Sequence, residues 1–81
     1  MTIGSNCKIF QNVTIGAKWP EGNKTDGVPK IGNNVQIGCG AAIIGNVTIG
    51  DNVYIGENAV VLRDVPNNSI AVGVPAKIQA R

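Results

Sequence analysis

The chain has 81 residues, enough for one domain and close to the lower size at which a single hydrophobic core suffices for folding. Its net charge of +2 is small and its charged residues are scattered, which argues against a nucleic-acid-binding surface. No apolar run approaches the ~20 residues of a membrane span, and the N-terminus has no signal-peptide pattern. We therefore expect a cytoplasmic protein that binds neither nucleic acid nor membranes.

Two features of the composition limit the possible chemistry. Histidine is absent, so the commonest general base and the commonest zinc ligand are both missing from the chain. The two cysteines, Cys7 and Cys39, are too few for a disulfide framework, and we expect both to be free thiols. No metal site is predicted.

A six-residue repeat runs along most of the chain, with one interruption. It is marked by an isoleucine or valine at positions 3, 9, 15, 31, 37, 43, 49, 55 and 61, and four residues after each of these stands a second small or branched apolar residue. Between the two apolar positions lies a residue that tolerates positive φ. These residues are Asn6, Asn12, Asn34, Gly40, Asn46, Asn52, Asn58 and Asp64. The unit predicts a short strand followed by a corner, because Gly or Asn in every turn of a helix would cost roughly 0.5–1 kcal/mol each.

Three such units close a triangle, so the structural period is three units and each residue stacks on its counterpart one coil away. Ile31 should lie against Ile49, Ile37 against Ile55, and Ile43 against Val61. Stacked coils form parallel ladders at a spacing of about 4.8 Å, with the two apolar columns inside. The predicted fold is an all-β parallel β-helix of three coils over residues 3–66, and residues 67–81 could cover the last coil.

The interruption lies between Ile15 and Ile31, where residues 17–30 leave the repeat as one ejected loop. Two prolines, two glycines and five charged residues indicate that the loop is exposed. A loop expelled from a strict repeat favours a functional role, and a tolerated insertion is the alternative.

These motifs resemble those of the hexapeptide-repeat acyltransferases, in particular the serine acetyltransferases and the related sugar O-acetyltransferases. The resemblance is carried by the Ile-Gly-x-Asn-Val-x unit, the loop after Val-Thr-Ile-Gly at 13–16, and Gly-Val-Pro-Ala-Lys-Ile at 73–78. It covers essentially the whole chain. It implies a left-handed β-helix, a homotrimer, and acetyl-CoA bound between neighbouring subunits, with transfer of acetyl to a hydroxyl by a histidine base.

The sequence departs from the family at the catalytic positions. The sugar acetyltransferases have a His-Pro pair where the chain enters the loop, and Trp19-Pro20 stands at the matching position in this sequence. The serine acetyltransferases have one where the loop ends, and here Val28-Pro29 matches it. Their principal catalytic His and its Asp partner lie upstream of the matched region. Neither Trp nor Val accepts a proton from a hydroxyl, so no catalytic residue is predicted.

The coenzyme A contacts implied by the resemblance are better preserved. Aligned with the galactoside-type relatives, they fall on Cys39, Glu57, Leu62, Arg63 and Lys77. Arg63 and Lys77 suit the phosphates of the cofactor, and the alternative is that both are ordinary surface cations. The resemblance thus implies an acetyl-CoA-dependent O-acetyltransferase that is truncated or catalytically incomplete, acting if active on a small-molecule hydroxyl acceptor. The alternative is a non-catalytic trimeric β-helix that serves as a structural or binding module.

Overall fold

A computed structural model describes residues 2–16 and 28–81. Most of the predicted loop, together with Trp19, lies outside these described residues. The described part of the chain consists of eleven short strands: β1 (Thr2–Ile3), β2 (Lys8–Ile9), β3 (Thr14–Gly16), β4 (Lys30–Ile31), β5 (Gln36–Ile37), β6 (Ala42–Ile44), β7 (Thr48–Ile49), β8 (Tyr54–Ile55), β9 (Val60–Val61), β10 (Ser69–Val72) and β11 (Lys77–Ala80). Within it, no helix is long and apolar enough to span a membrane.

Strands β1 to β9 wind into three coils, each with three sides. The first side is the sheet β1-β4-β7, the second contains β2-β5-β8 and the third is β3-β6-β9, and all of these pairs are parallel. The register pairs Ile31 with Ile49 and Ile37 with Ile55, and it pairs Ile43 with Val61. The period of three units and the three predicted stacking pairs are therefore confirmed.

The interior of the coils is filled by the two apolar columns. In the second and third coils every member of both columns is at most 4% exposed, from Ile31 through Val61. Cys7, Val13 and Ile15 of the first coil pack against this core but remain partly exposed. The alternation of inward Ile with outward neighbours is the period-2 pattern of a strand that has one buried face.

Positive φ angles occur at most of the predicted corner residues, but not at all of them. Asn6, Asn12, Asn34, Asn52 and Asn58 have φ of 58–61°, and Gly40 has φ of 77°. Asn46 and Asp64 were expected in the same column, and this expectation is wrong. Before Asn46, strand β6 extends to Ile44, so the residue with positive φ in this corner is Gly45, with φ of 98°. Asp64 instead stabilises its corner through its side chain, whose Oδ1 accepts a hydrogen bond from the N–H of Thr48 at 2.9 Å.

The first corner, which follows the first side of each coil, carries a ladder of side-chain to backbone hydrogen bonds. Asn33 Oδ1 accepts from the N–H of Ser5, Asp51 Oδ1 from that of Asn33, and Asn67 Oδ1 from that of Asp51, at 2.7–2.9 Å. A Cβ added at Gly4, Gly32 or Gly50 would collide with these same oxygen atoms. Glycine after the inward isoleucine therefore leaves room for the ladder.

The end of the β-helix beyond the third coil is covered by the chain itself. Val65 forms a parallel bridge with Ile49, and β10 continues the second sheet by pairing with β8. Strand β11 folds back antiparallel on β10, and Ile78 packs against the core. Residues 65–71 thus begin a fourth coil, and the β10–β11 hairpin finishes it.

Candidate functional site

The second corner, which follows the second side of each coil, places Cys39 beneath Glu57. The N–H of Asn58 donates to the carbonyl of Cys39 at 3.0 Å, which fixes the one-coil stack. Gly38 is buried, and a Cβ there would lie 2.8 Å from the Glu57 nitrogen and 3.0 Å from its Cγ. The methylene part of Glu57 therefore covers Gly38, while the residue as a whole remains exposed. The thiol-bearing residue Cys39 is half-buried.

Lys77 joins the same side of the molecule through the hairpin. It is the first residue of β11 and pairs with Val72, and a Cβ at Gly56 would contact the Cγ1 atom of Val72 at 2.8 Å. The neighbouring N–H of Ala76 donates to the carbonyl of Val60 at 2.8 Å. These contacts put Lys77 above the corner that holds Glu57. Three of the predicted contact residues, Cys39, Glu57 and Lys77, thus lie along one edge of the β-helix.

Leu62 and Arg63 lie at a different edge. They follow β9 at the third corner, where Leu62 is 58% exposed and Arg63 is also exposed, while Val61 before them is buried. The three steps of chain from Ala59 to Leu62 span roughly 10 Å at about 3.3 Å per residue. The structure therefore divides the five predicted residues into two groups at opposite ends of β9.

The catalytic positions carry no proton acceptor in the described part. Val28 is half-buried and Pro29 is fully buried just before β4, so the chain returns from the loop with an apolar pair. Among residues 2–16 and 28–81, no group of three His, Cys, Asp or Glu side chains could hold a metal ion. The catalytic position of the family motif that the structure describes therefore carries no family-type base.

The structure also shows a concave surface that sequence reasoning missed. A shallow depression of about 420 Å³ lies beside the third corner. It is lined by Thr48, Gly50, Asp64, Val65, Pro66 and Asn67. Three of these residues, Val65, Pro66 and Asn67, belong to the partial fourth coil, which the repeat pattern does not predict. The turn residues Pro66 and Asn67 were the available signal.

These observations define the class of protein: the chain is a hexapeptide-repeat β-helix with exposed polar and cationic residues along two of its corners. Comparison with known proteins supports this class directly. The family model described as bacterial transferase hexapeptide (six repeats) matches residues 29–63.

Similarity to individual proteins covers nearly the whole chain. A serine acetyltransferase from Synechococcus elongatus is 43% identical over 76 residues, which are 94% of this chain and 30% of that protein. The crystal structure of Neisseria gonorrhoeae serine acetyltransferase superposes with a TM-score of 0.89 at 46% identity, covering 99% of this chain and 31% of that one. The crystal structure of a Brucella abortus serine acetyltransferase in complex with coenzyme A superposes with a TM-score of 0.85 at 38% identity, covering 94% of this chain and 30% of that one.

The chain is thus related in sequence and in fold to the hexapeptide-repeat acyltransferases, as its motifs indicate. The family match and the structural superposition confirm the predicted left-handed parallel β-helix. The chain spans about a third of the length of the relatives it matches.

Proposed function

We propose that this chain is the coenzyme A-binding part of an acetyl-CoA-dependent O-acetyltransferase. The observation that carries the proposal is the match to the Brucella abortus enzyme, whose structure was determined with coenzyme A bound. That match covers 94% of this chain, and we propose that the corners carrying Cys39, Glu57, Leu62, Arg63 and Lys77 contact the coenzyme A. In the proposal the acceptor is a small molecule with a hydroxyl group, and the protein is cytoplasmic.

The separation of the site residues into two edges supports a homotrimer. A ligand that contacts both edges of one protomer must cross the outer face of the third side, whereas a ligand between two protomers contacts one edge of each. In the second and third coils the outer face of the third side is apolar. Ala42, Ile44 and Val60 are half-buried there, and Leu62 is more exposed. An apolar sheet face of this kind suits contact between subunits.

Within the groove, each residue type contributes a distinct interaction. The Arg63 guanidinium and the Lys77 ammonium would form charge-assisted hydrogen bonds with phosphate oxygens. Leu62 offers an apolar contact, and Cys39 and Glu57 line the second corner over two successive coils. Transfer of the acetyl group also requires a base that removes the hydroxyl proton of the acceptor. The chain has no histidine to fill that role, so we propose that the chain is catalytically incomplete.

The second candidate is a non-catalytic trimeric β-helix that serves as a structural or binding module. The lack of histidine and the apolar Val28 at the loop position favour it. Isothermal titration of coenzyme A into the protein separates the two candidates. A truncated acetyltransferase retains coenzyme A binding at low salt, whereas a trimer with no detectable binding would leave only the structural module.

A further inference from the structure

The third corner of the β-helix is shorter after β9 than it is after β6. In both coils the corner is flanked by the same two ladder pairs, Ile43 with Val61 and Ile49 with Val65. Residues 44–48 connect these positions in the second coil, whereas residues 62–64 connect them in the third. The third coil therefore turns this corner with two residues fewer, and we call residues 62–64 the short corner.

The side chain of Asp64 replaces a backbone acceptor at the short corner. In a regular coil the acceptor is the carbonyl two residues before the next ladder partner, as when the N–H of Lys30 donates to Val47 at 2.9 Å. For Thr48, which stacks on Lys30 one coil later, that position is Arg63. The N–H of Thr48 instead donates to Asp64 Oδ1 at 2.9 Å. A carboxylate oxygen thus takes the place of the Arg63 carbonyl.

Arg63 is consequently held through its neighbours. Val61 before the short corner is 0% exposed and Val65 after it is 1% exposed, so both ends of the corner are anchored in the core. None of the described residues forms a backbone hydrogen bond with Arg63, whose side chain is exposed. Within the described part of the chain, the bond from Thr48 to Asp64 is the one hydrogen bond made by residues 62–64. The course of the chain at Arg63 therefore depends on Asp64.

Arg63 is also one of the two cations predicted to contact coenzyme A. A guanidinium presents its donors in a rigid planar fork, so its hydrogen bonds to a phosphate depend on how the backbone aims the side chain. We propose that Asp64 is a positioning residue for coenzyme A binding, because its bond to Thr48 fixes the short corner so that Arg63 meets a phosphate of the cofactor. This role rests on the proposed function. Asp64 itself does not contact the phosphate, since two anions repel each other.

The negative charge of Asp64 separates positioning from simple electrostatics. A carboxylate next to a phosphate site weakens anion binding, so its removal should strengthen binding if charge were its only effect. Positioning predicts the opposite sign for Asp64→Ala, because this change removes the acceptor that holds the corner. Asp64→Asn removes the charge and keeps an Oδ1 acceptor, so it should preserve binding.

Isothermal titration of coenzyme A at low salt, on variants whose folding is checked by thermal melts, tests the role of Asp64. Asp64→Ala should lower affinity severalfold, and by no more than Arg63→Ala does. In the Arg63→Ala background, Asp64→Ala should cause no further loss, because Asp64 acts through Arg63.

Asp51→Ala is the matched control for a purely structural effect. Asp51 also accepts a hydrogen bond from a backbone N–H at a corner, that of Asn33 at 2.8 Å, and it lies outside the predicted contacts. Its replacement should lower the melting temperature without weakening coenzyme A binding. Asp64→Asn should bind at least as tightly as the wild type.

Unchanged or tighter binding in Asp64→Ala overturns the positioning role, and so does an equal loss with Arg63 present and absent. In both cases the proposed function stands, because the wild type binds. A wild type that binds no coenzyme A rejects the proposed function together with the role of Asp64. If Asp64→Ala does not fold, hydrogen exchange on the wild type decides: by linkage, coenzyme A should slow exchange of the Thr48 amide more than that of Asn33. Equal slowing of the two amides rejects the proposal.

Discussion

The carboxylate of Asp51 accepts a hydrogen bond from the backbone N–H of Asn33, which lies one coil below it, at 2.8 Å. The N–H of Asp51 in turn donates to Asn67 one coil above. One residue thus connects the second coil, the third coil and the final turn, although it lies at a corner and not in the core.

Replacing Asp51 should test this connection. Asp51→Ala removes the acceptor for Asn33 and should lower the free energy of unfolding by about 1 kcal/mol, the net contribution of one such hydrogen bond. Asp51→Asn keeps a side-chain oxygen and is the control. Urea denaturation followed by circular dichroism compares the two. Equal stability of the Ala and Asn variants would show that the ladder does not stabilise the fold.

A methyl group at Gly32 should be poorly tolerated. Its Cβ would collide with the Asp51 carboxylate and would lie 2.9 Å from the backbone of Gly50. We expect Gly32→Ala to cost about 1–3 kcal/mol, the usual range for overpacking. Gly16→Ala is the matched control, since a Cβ at Gly16 meets no atom of residues 2–16 or 28–81 within 4 Å. Thermal melts of the two variants should therefore differ, and coincident melts would contradict the close contact.

A charge in the inward column should prevent folding. Val53 is 0% exposed, so Val53→Asp buries a carboxylate without a partner, at a cost that exceeds the stability of so small a domain. Ile37→Asn should have a similar effect. Val74→Asp, at a position 70% exposed, should fold normally. A soluble Val53→Asp protein with a cooperative melt would mean that the inward column is wrongly assigned.

Coenzyme A binding should depend on Arg63 and Lys77. The double variant Arg63→Ala and Lys77→Ala removes two charge-assisted contacts, each worth about 1.5–3 kcal/mol when well formed, so affinity should fall tenfold or more. Added salt should reproduce part of this loss in the wild type. Lys8→Ala, which removes a cation in β2 that is not among the predicted contacts, is the control. Isothermal titration that finds equal losses for Lys8→Ala and the double variant would count against these phosphate contacts.

Acetyl transfer by the chain alone should not exceed background. The reason is the absence of histidine, with Trp19 and Val28 at the two positions of the family motif. The measurement is release of the coenzyme A thiol from acetyl-CoA, with serine or simple sugars as acceptor and with correction for Cys7 and Cys39. Turnover proportional to protein concentration would reveal an unrecognised base, and Glu21 and Asp26 would be the first residues to replace.

Much of the fold follows from spacing alone. The pairing of Ile37 with Ile55 and the stack of Cys39 under Glu57 both follow from a period of three repeat units. The repeat pattern alone does not predict the partial fourth coil, because Ser69 and Ala71 are buried there in place of a regular isoleucine. The position of Lys77 depends on a hairpin that folds back against the direction of the repeat. The separation of Leu62 from Glu57 follows from the repeat, since one side of the triangle lies between the two residues.

The expulsion of the loop from the repeat has a consequence for the order of folding. Ile31 and Ile49 are separated along the chain by three repeat units, whereas the segment between Ile3 and Ile31 also contains the loop and is about half as long again. Closing the longer segment costs about 0.4 kcal/mol more in chain entropy. The first coil also buries its isoleucines only in part, so it recovers less of that cost. The second and third coils should therefore form the nucleus, and the first coil should be the last to join them and the first to detach.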